Sequence, residues 1–273
     1  MKVRIKFQKY GAMKFIGHLD VMRYFQKAFR RAGFDNEYTK GFSPHQIMSF
    51  AAPLGVGLTS DGEYVDVELR SSDTPEVMVE RLNAVMTEGF RIIGFKFLKE
   101  REENQKNVTA MAQVASADYL VSLKDGYGVP NHIDTQEKFS IAFRKFISAG
   151  ELVIDKKTKT SEKEVDIKPM IRLVAFTEDE YEELRAKALN SAASQICESK
   201  PVSVAESYEN GIKIYLQLDT GSSMNLKPEL VMEAFFNRMD AKYQGFAWQV
   251  HRLEVYAKDQ ISGRLIPLDK LER

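Results

Sequence analysis

The chain has 273 residues, and its 39 Lys and Arg residues balance its 39 Asp and Glu residues, so the formal net charge is zero. This length suits one large domain or two ordinary ones. No apolar run approaches the ~20 residues of a membrane span, and the opening MKVRIKFQKYG lacks a signal region. A single cysteine, Cys197, excludes an internal disulfide and an all-cysteine metal site. We therefore expect a cytoplasmic protein without membrane contact.

The first hundred residues alternate between strand and helix patterns. Period-two alternation predicts strands, and apolar residues at helical spacing before a glycine or after Thr-Pro predict helices. In chain order we predict a strand at Val3–Phe7, a helix at His18–Ala32, a strand at Glu63–Leu69, a helix from Thr74-Pro75 and a strand at Arg91–Leu98. With short extended segments after the first helix, this is the ferredoxin-like order.

Residues 100–116 are polar and predict a linker, after which the pattern restarts. We predict an α+β protein of two tandem ferredoxin-like (βαββαβ) units with antiparallel sheets. The domains are 1–99, with a basic helix, and 117–273, with a helical insertion. In the second domain Leu152–Lys156 and Val165–Phe176 predict a hairpin. Asp166, Lys168 and Arg172 would share one strand face there, unless Pro169 introduces a bulge.

The positive charge is concentrated near the N-terminus. Residues 1–50 hold ten Lys or Arg and three acidic residues, a net charge of +7, and the remainder is therefore −7. Such asymmetry favours a polyanionic partner, although a basic stripe is also the ordinary solvated side of a helix. The cations Arg4, Lys6 and Lys9 alternate along the first strand and would line one sheet face or edge. The predicted helix carries Arg23, Lys27, Arg30 and Arg31 away from its apolar side.

A loop after this helix has the composition of a phosphate site. Lys40 supplies a cation, Gly41 leaves backbone N–H groups accessible, and Ser43 adds a hydroxyl. Phe42 would stack on nucleic-acid bases or anchor the loop to the core. The predicted nucleic-acid-binding residues are therefore Arg23, Lys27, Arg30, Arg31, Lys40, Gly41, Phe42 and Ser43.

Two histidines flank the basic helix. His18 and His45 titrate near neutrality and are candidate acid and base groups for phosphodiester cleavage. The structural alternative is that His18 caps the helix and His45 holds the loop. Asp20 is the third catalytic candidate. Because His18 and Asp20 supply only two ligands, we expect no metal site, and we expect no cofactor.

Several phrases of the sequence occur together: GHLDVMRYFQKAFRRAGF, YTKGFSPHQIMSFAAPLGVG, EYVDVEL and VDIKPMI. This combination resembles the bacterial radical-SAM-linked proteins, a domain of unknown function found alone or fused behind a radical S-adenosylmethionine enzyme. The three-cysteine cluster motif of that enzyme is absent here. The resemblance therefore implies an accessory module whose candidate partner is a separate radical enzyme.

Three functions remain open from the sequence. The leading hypothesis is an RNA-binding accessory protein in RNA processing or modification, linked to a radical S-adenosylmethionine enzyme. One alternative is a metal-independent RNase or RNA-modifying enzyme that uses His18 and His45. The other is a docking module that binds the radical enzyme and no nucleic acid.

Overall fold

A computed structural model describes residues 1–99, 109–157, 162–189, 201–221, 224–259 and 261–271. The described residues form six α-helices, and ten strands are hydrogen-bonded into one mostly antiparallel sheet. None of the described helices is both long enough and apolar enough to cross a bilayer. The helices and the mostly antiparallel sheet confirm the α+β class, whereas the tandem ferredoxin-like units stay a prediction.

The chain divides into two compact units that are discontinuous in sequence. Unit 1 is Met1–Ala115, Glu198–Ala205 and Arg252–Arg273, and unit 2 is Ser116–Cys197 and Glu206–His251. The last segment of the predicted domain 117–273, Arg252–Arg273, groups with unit 1. Most of the predicted linker, residues 100–108, lies outside the described residues, as does Cys197. The described part of the predicted linker forms a short helix and the start of a strand.

Unit 1 contains the elements predicted for the first hundred residues. Its strand order is β5-β1-β4-β11, and β2 and β3 also pair with β4. Antiparallel registers place Arg4 opposite Asp66 and Lys6 opposite Tyr64. The strands are β1 (Lys2–Lys9), β2 (Asp35–Asn36), β3 (Met48–Phe50), β4 (Thr59–Ser71), β5 (Phe90–Leu98), the C-terminal part of β11 (Trp248–Lys258), and β12 (Leu265–Pro267). The helices are α1 (His18–Arg31), α2 (Pro75–Asn83) and α3 (Ala110–Gln113).

Helix α1 forms because its apolar residues recur at helical spacing and fill the core of unit 1. Phe25 and Phe29 are fully buried, and Phe25 packs against Phe7 of β1 with ring centroids 4.6 Å apart. The helix ends where Gly33 takes a φ of +67°, a conformation that favours glycine. The predicted helix at His18–Ala32 is thus confirmed to within one residue.

Unit 2 has the strand order β11-β6-β10-β9 and its own aromatic core. Phe139 and Phe143 of α4 are fully buried, and Phe143 lies 4.7 Å from Phe235 between ring centroids. The elements are β6 (Val114–Leu123), α4 (Gln136–Ile147), β7 (Val153–Lys157), β8 (Glu162–Asp166), β9 (Ile171–Ala175), α5 (Glu178–Leu189), β10 (Lys213–Asp219), α6 (Pro228–Asn237) and the N-terminal part of β11.

One predicted strand of unit 2 is divided by its proline. The hairpin is present, but it pairs β7 with β8 only. A 3-10 turn at Lys168–Met170 then separates β8 from β9, which joins the main sheet beside β10. The predicted shared face of Asp166, Lys168 and Arg172 required an uninterrupted strand, and this condition is not met, because β8 ends at Asp166 and the turn that contains Pro169 follows.

Candidate functional site

The outer side of helix α1 presents the predicted cations to solvent. Arg23, Lys27, Arg30 and Arg31 are all exposed. The first three lie at i, i+4 and i+7, so they form one row along the helix. Arg31 differs from them, because it donates a 3.1 Å hydrogen bond to the Val85 carbonyl and its guanidinium lies over the Tyr24 ring.

Few of the described acidic side chains pair with the three cations of the row, so the cations are available to an anionic ligand. Arg23 lies 3.4 Å from Asp20, and both side chains are more than 60% exposed, so this pair is weak. Within the described part of the chain, the side chains of Lys27 and Arg30 make no hydrogen bond or ion pair. We call Arg23, Lys27 and Arg30 the basic row.

The predicted phosphate loop is a closed turn with an exposed tip. A bridge between Tyr38 and Gln46 forms its base. Above the base, the Thr39 N–H donates to the His45 carbonyl at 2.9 Å, and the His45 N–H donates to the Thr39 hydroxyl at 3.1 Å. His45 Nδ1 also lies 3.1 Å from that hydroxyl. The role of His45 in this geometry is to close the loop, as the structural alternative proposed.

The tip between Thr39 and His45 is exposed along its whole length. Lys40 and Ser43 are exposed, and Gly41 has a φ of +121°, which other residues rarely adopt. Phe42 has a relative exposure of 111%, the highest among the large hydrophobic side chains that the structure describes. The alternative that Phe42 anchors the loop to the core is therefore wrong.

A hydrogen bond attaches the loop to the helix. Gln46 Nε2 donates to the main-chain carbonyl of Gln26 in α1 at 3.3 Å. Arg23 and Arg30 lie three residues before and four after Gln26, so they are its neighbours on the helix surface. The structure thus brings the loop and the basic row onto one side of unit 1. We call this the basic surface.

The cations of the first strand do not contribute to it. Arg4 is 1% exposed and makes two hydrogen bonds to the Asp66 carboxylate, at 2.7 and 2.9 Å. Lys6 pairs with Glu254 at 2.6 Å and with Asp269 at 3.4 Å. Arg4 and Lys6 are therefore not available to phosphates, because acidic residues from distant parts of the chain pair with them.

A small pocket opens beside the N-terminus of α1. It has room for about one water molecule, and its walls are mostly apolar. Its lining residues are Phe7, Lys9, His18, Val21, Phe50, Pro53, Leu54 and Glu63. His18 is the one catalytic candidate here. Its ring packs edge-on against Phe50 at 5.2 Å between centroids, and its nitrogens have no hydrogen-bond partner among the described residues.

The pKa values of His18 and Lys9, the two basic side chains of this pocket, are both lowered. Burial lowers the pKa of His18, and the Lys9 ammonium lowers it further, against an opposing effect of Glu63. Burial also lowers the pKa of Lys9, with Arg252 adding to the shift and Glu63 opposing it. Glu63 is itself held by Arg252, whose Nε donates to Oε1 at 2.8 Å and whose Nη2 donates to Oε2.

The structure does not place the two candidate histidines in one site. His45 is not among the pocket residues, and neither is Asp20, which is exposed. The loop of His45 meets α1 at Gln26, eight residues beyond His18. That is about 12 Å along the helix axis. Any chemistry at His18 would therefore use Lys9 and Glu63 rather than His45.

Sequence reasoning did not assign Glu63 or Arg252 to a site. A signal was present, because Glu63 and Asp66 lie inside apolar strand β4, and a charge in such a strand is buried only when paired. Their basic partners could not be read from the pattern, since Arg252 is 189 residues from Glu63.

The comparison with known proteins gives a family but no activity. A family described as an uncharacterized protein conserved in bacteria (DUF2344) matches residues 2–228. No curated protein matches the sequence. The expected domain of unknown function is confirmed, whereas the link to radical S-adenosylmethionine enzymes stays a prediction.

Proposed function

This chain belongs to that uncharacterized bacterial family, and we propose that it is an accessory protein in RNA processing or modification that binds single-stranded RNA. The observation that carries the proposal is the fully exposed Phe42 beside Lys40, on a loop attached to the helix of the basic row. An exposed aromatic ring beside a lysine, on a loop attached to the helix that carries exposed cations, matches what a single-stranded nucleic acid offers, namely phosphates and unpaired base faces.

The proposed binding mode divides the work between helix and loop. Arg23, Lys27 and Arg30 neutralise successive phosphates, which gives affinity without sequence information. A base stacks on Phe42, and the 36%-exposed Tyr38 at the loop base offers a second ring. Stacking of this kind requires unpaired bases, as in RNA loops and single strands.

The test is binding of the full chain to bulk cellular RNA over a range of salt concentrations, with matched single-stranded DNA beside it. Log affinity should fall linearly with log salt, with a slope of about −0.7 for each phosphate neutralised on a single strand. Three or four contacts predict a slope of about −2 to −3. Arg23→Glu plus Arg30→Glu should make the slope shallower by about 1.4, because two contacts are lost.

A charge-matched control separates the basic surface from overall charge. Lys145→Glu plus Lys187→Glu changes the net charge equally on exposed positions of unit 2. We expect this control to bind RNA like the wild type. Equal losses in both double variants, or no binding even at low salt, would refute the RNA site. Equal binding of DNA would leave the site but remove its preference for RNA.

Two other functions are compatible with the same residues. An exposed Phe42 also suits a protein partner, and the motif resemblance makes a radical S-adenosylmethionine enzyme the candidate. Co-purification with such an enzyme that is lost in Phe42→Ala, together with indifference to RNA, would favour the docking module. The enzyme alternative rests on the pocket that His18 lines. RNA turnover that is abolished in His18→Gln would favour it.

The strand orders support the finer fold proposal. Unit 1 places β5-β1-β4 in sequence, with β3 against β4, and unit 2 places β11-β6-β10-β9. Among β1–β5 of residues 1–99, the first strand β1 lies between β5 and β4, and in unit 2 the first strand β6 lies between β11 and β10. This is the arrangement that we propose as a ferredoxin-like unit, and an experimental structure of the full chain tests it.

A further inference from the structure

A buried cation in unit 1 lacks a counterion of its own. Lys9 is 2% exposed, and its ammonium makes one hydrogen bond, to the Ile16 carbonyl at 3.1 Å. An ammonium has three N–H donors, so two are unused within the described part of the chain. Glu63 is the nearby carboxylate, but both of its oxygens accept from Arg252. The three charged groups together carry a net charge of +1.

Glu63 also lines the pocket, but its carboxylate is neutralised by Arg252, and the remaining polar side chain, His18, can donate. His18 carries at least one ring N–H in either protonation state, and its ring nitrogens have no partner among the described residues. Helix α1 begins there with Gly17 at the N-cap, so no side chain caps its first N–H groups. Unused helix N–H groups and the helix dipole favour negative charge at this end.

We propose that the Lys9–His18 pocket binds an oxyanion, the carboxylate or phosphate group of a small ligand. One ligand oxygen enters and accepts hydrogen bonds from Lys9 and His18. The remainder of the ligand stays at the rim, because the enclosed space holds only about one water molecule. The apolar walls favour a ligand that is apolar next to its acidic group. This site uses none of the residues of the basic surface and does not depend on RNA binding.

The experiment titrates the full-length protein with inorganic phosphate and, separately, with acetate, each against sodium chloride at equal ionic strength. The His18 ring signal in proton NMR reports binding, and it is assigned by its absence in His18→Gln. We expect a saturable shift and a raised pKa of His18, because a bound anion favours the imidazolium. Thermal unfolding should move to higher temperature with the anion that binds.

Two variants decide the role of Lys9. Lys9→Met keeps most of the side-chain volume and removes the donors, so the dissociation constant of the anion should rise at least about tenfold. Lys145→Met, on α4, is the matched control and should bind like the wild type. If Lys9→Met does not fold, His18→Gln is used to test the pocket instead. The rise in unfolding temperature that the anion causes in the wild type should then be absent in His18→Gln.

Two results would overturn the proposal. One is a His18 signal that responds to neither anion beyond the chloride control, which leaves a pocket that holds only water. The other is an unchanged anion affinity in Lys9→Met. A preference for phosphate over acetate, or the reverse, identifies the acidic group. The variant Arg23→Glu plus Arg30→Glu should retain anion binding, so failure of this site and failure of the RNA site are distinguishable.

Discussion

Two basic segments of unit 1 look alike in sequence and have opposite environments in the structure. Strand β1 carries Arg4, Lys6 and Lys9, and all three are buried or paired inside the unit. Helix α1 carries the basic row, which is exposed and largely without partners. The local excess of positive charge therefore divides into a structural part and an accessible part. Only the accessible part can attract a polyanion.

The largest expected difference is in stability. Asp66→Ala leaves the Arg4 guanidinium buried without its carboxylate, and we expect the free energy of unfolding to fall by about 3–5 kcal/mol. Glu37→Ala is the control, because it removes the partner of Arg70 in an exposed pair and should cost less than about 1 kcal/mol. Urea denaturation measures both variants. Similar losses in the two would show that burial does not distinguish the pairs.

The next effect concerns binding alone. Phe42→Ala should weaken RNA binding by about 1–3 kcal/mol, since one stacked base is lost, and should leave the unfolding transition unchanged. Phe246→Ala removes another aromatic ring, 88% exposed in unit 2, and should change neither the RNA affinity nor the unfolding transition. Fluorescence anisotropy with a short labelled RNA checks the affinities. Full affinity in Phe42→Ala would place the RNA contact elsewhere.

A third effect depends on pH. Burial lowers the pKa of His18 in the folded state. Below the ordinary histidine pKa of about 6.5, His18 is therefore more protonated in the unfolded chain than in the folded protein. The stability contribution of a neutral His18 is present above that pKa and is lost as the pH falls toward the folded-state pKa. His18→Gln should flatten this part of the stability profile, and the exposed His132→Gln should not. Parallel profiles for all three proteins would contradict the burial argument.

The smallest effect is expected on the basic row itself. Arg23→Ala plus Lys27→Ala removes two exposed cations, and the free energy of unfolding should change by less than about 0.5 kcal/mol. RNA affinity measured on the same samples should fall. A large loss of stability would mean that these side chains are structural, like those of β1.

The secondary structure could be predicted where local rules apply. The apolar period of α1, the Thr74-Pro75 start of α2 and the alternation in β4 each determine an element without help from distant residues. The exposed loop tip was also predictable as a candidate site from its composition.

What could not be predicted depends on distant partners. The burial of Arg4 requires Asp66 and the Leu268 carbonyl, 62 and 264 residues away. The pocket at His18 requires Glu63, which Arg252 positions. Periodicity describes what a residue prefers beside its sequence neighbours, and it carries no information on which remote charge will cover it.

The closure of unit 1 by residues 252–273 has a consequence for the order of folding. During synthesis, β1 emerges early, but the groups that satisfy Lys6 and Arg4 at Glu254, Leu268 and Asp269 emerge after all of unit 2. N-terminal domains generally fold first as the chain is made, yet this one must wait with buried charges incompletely paired. A fragment ending at residue 115 should therefore be a poor substitute for the unit.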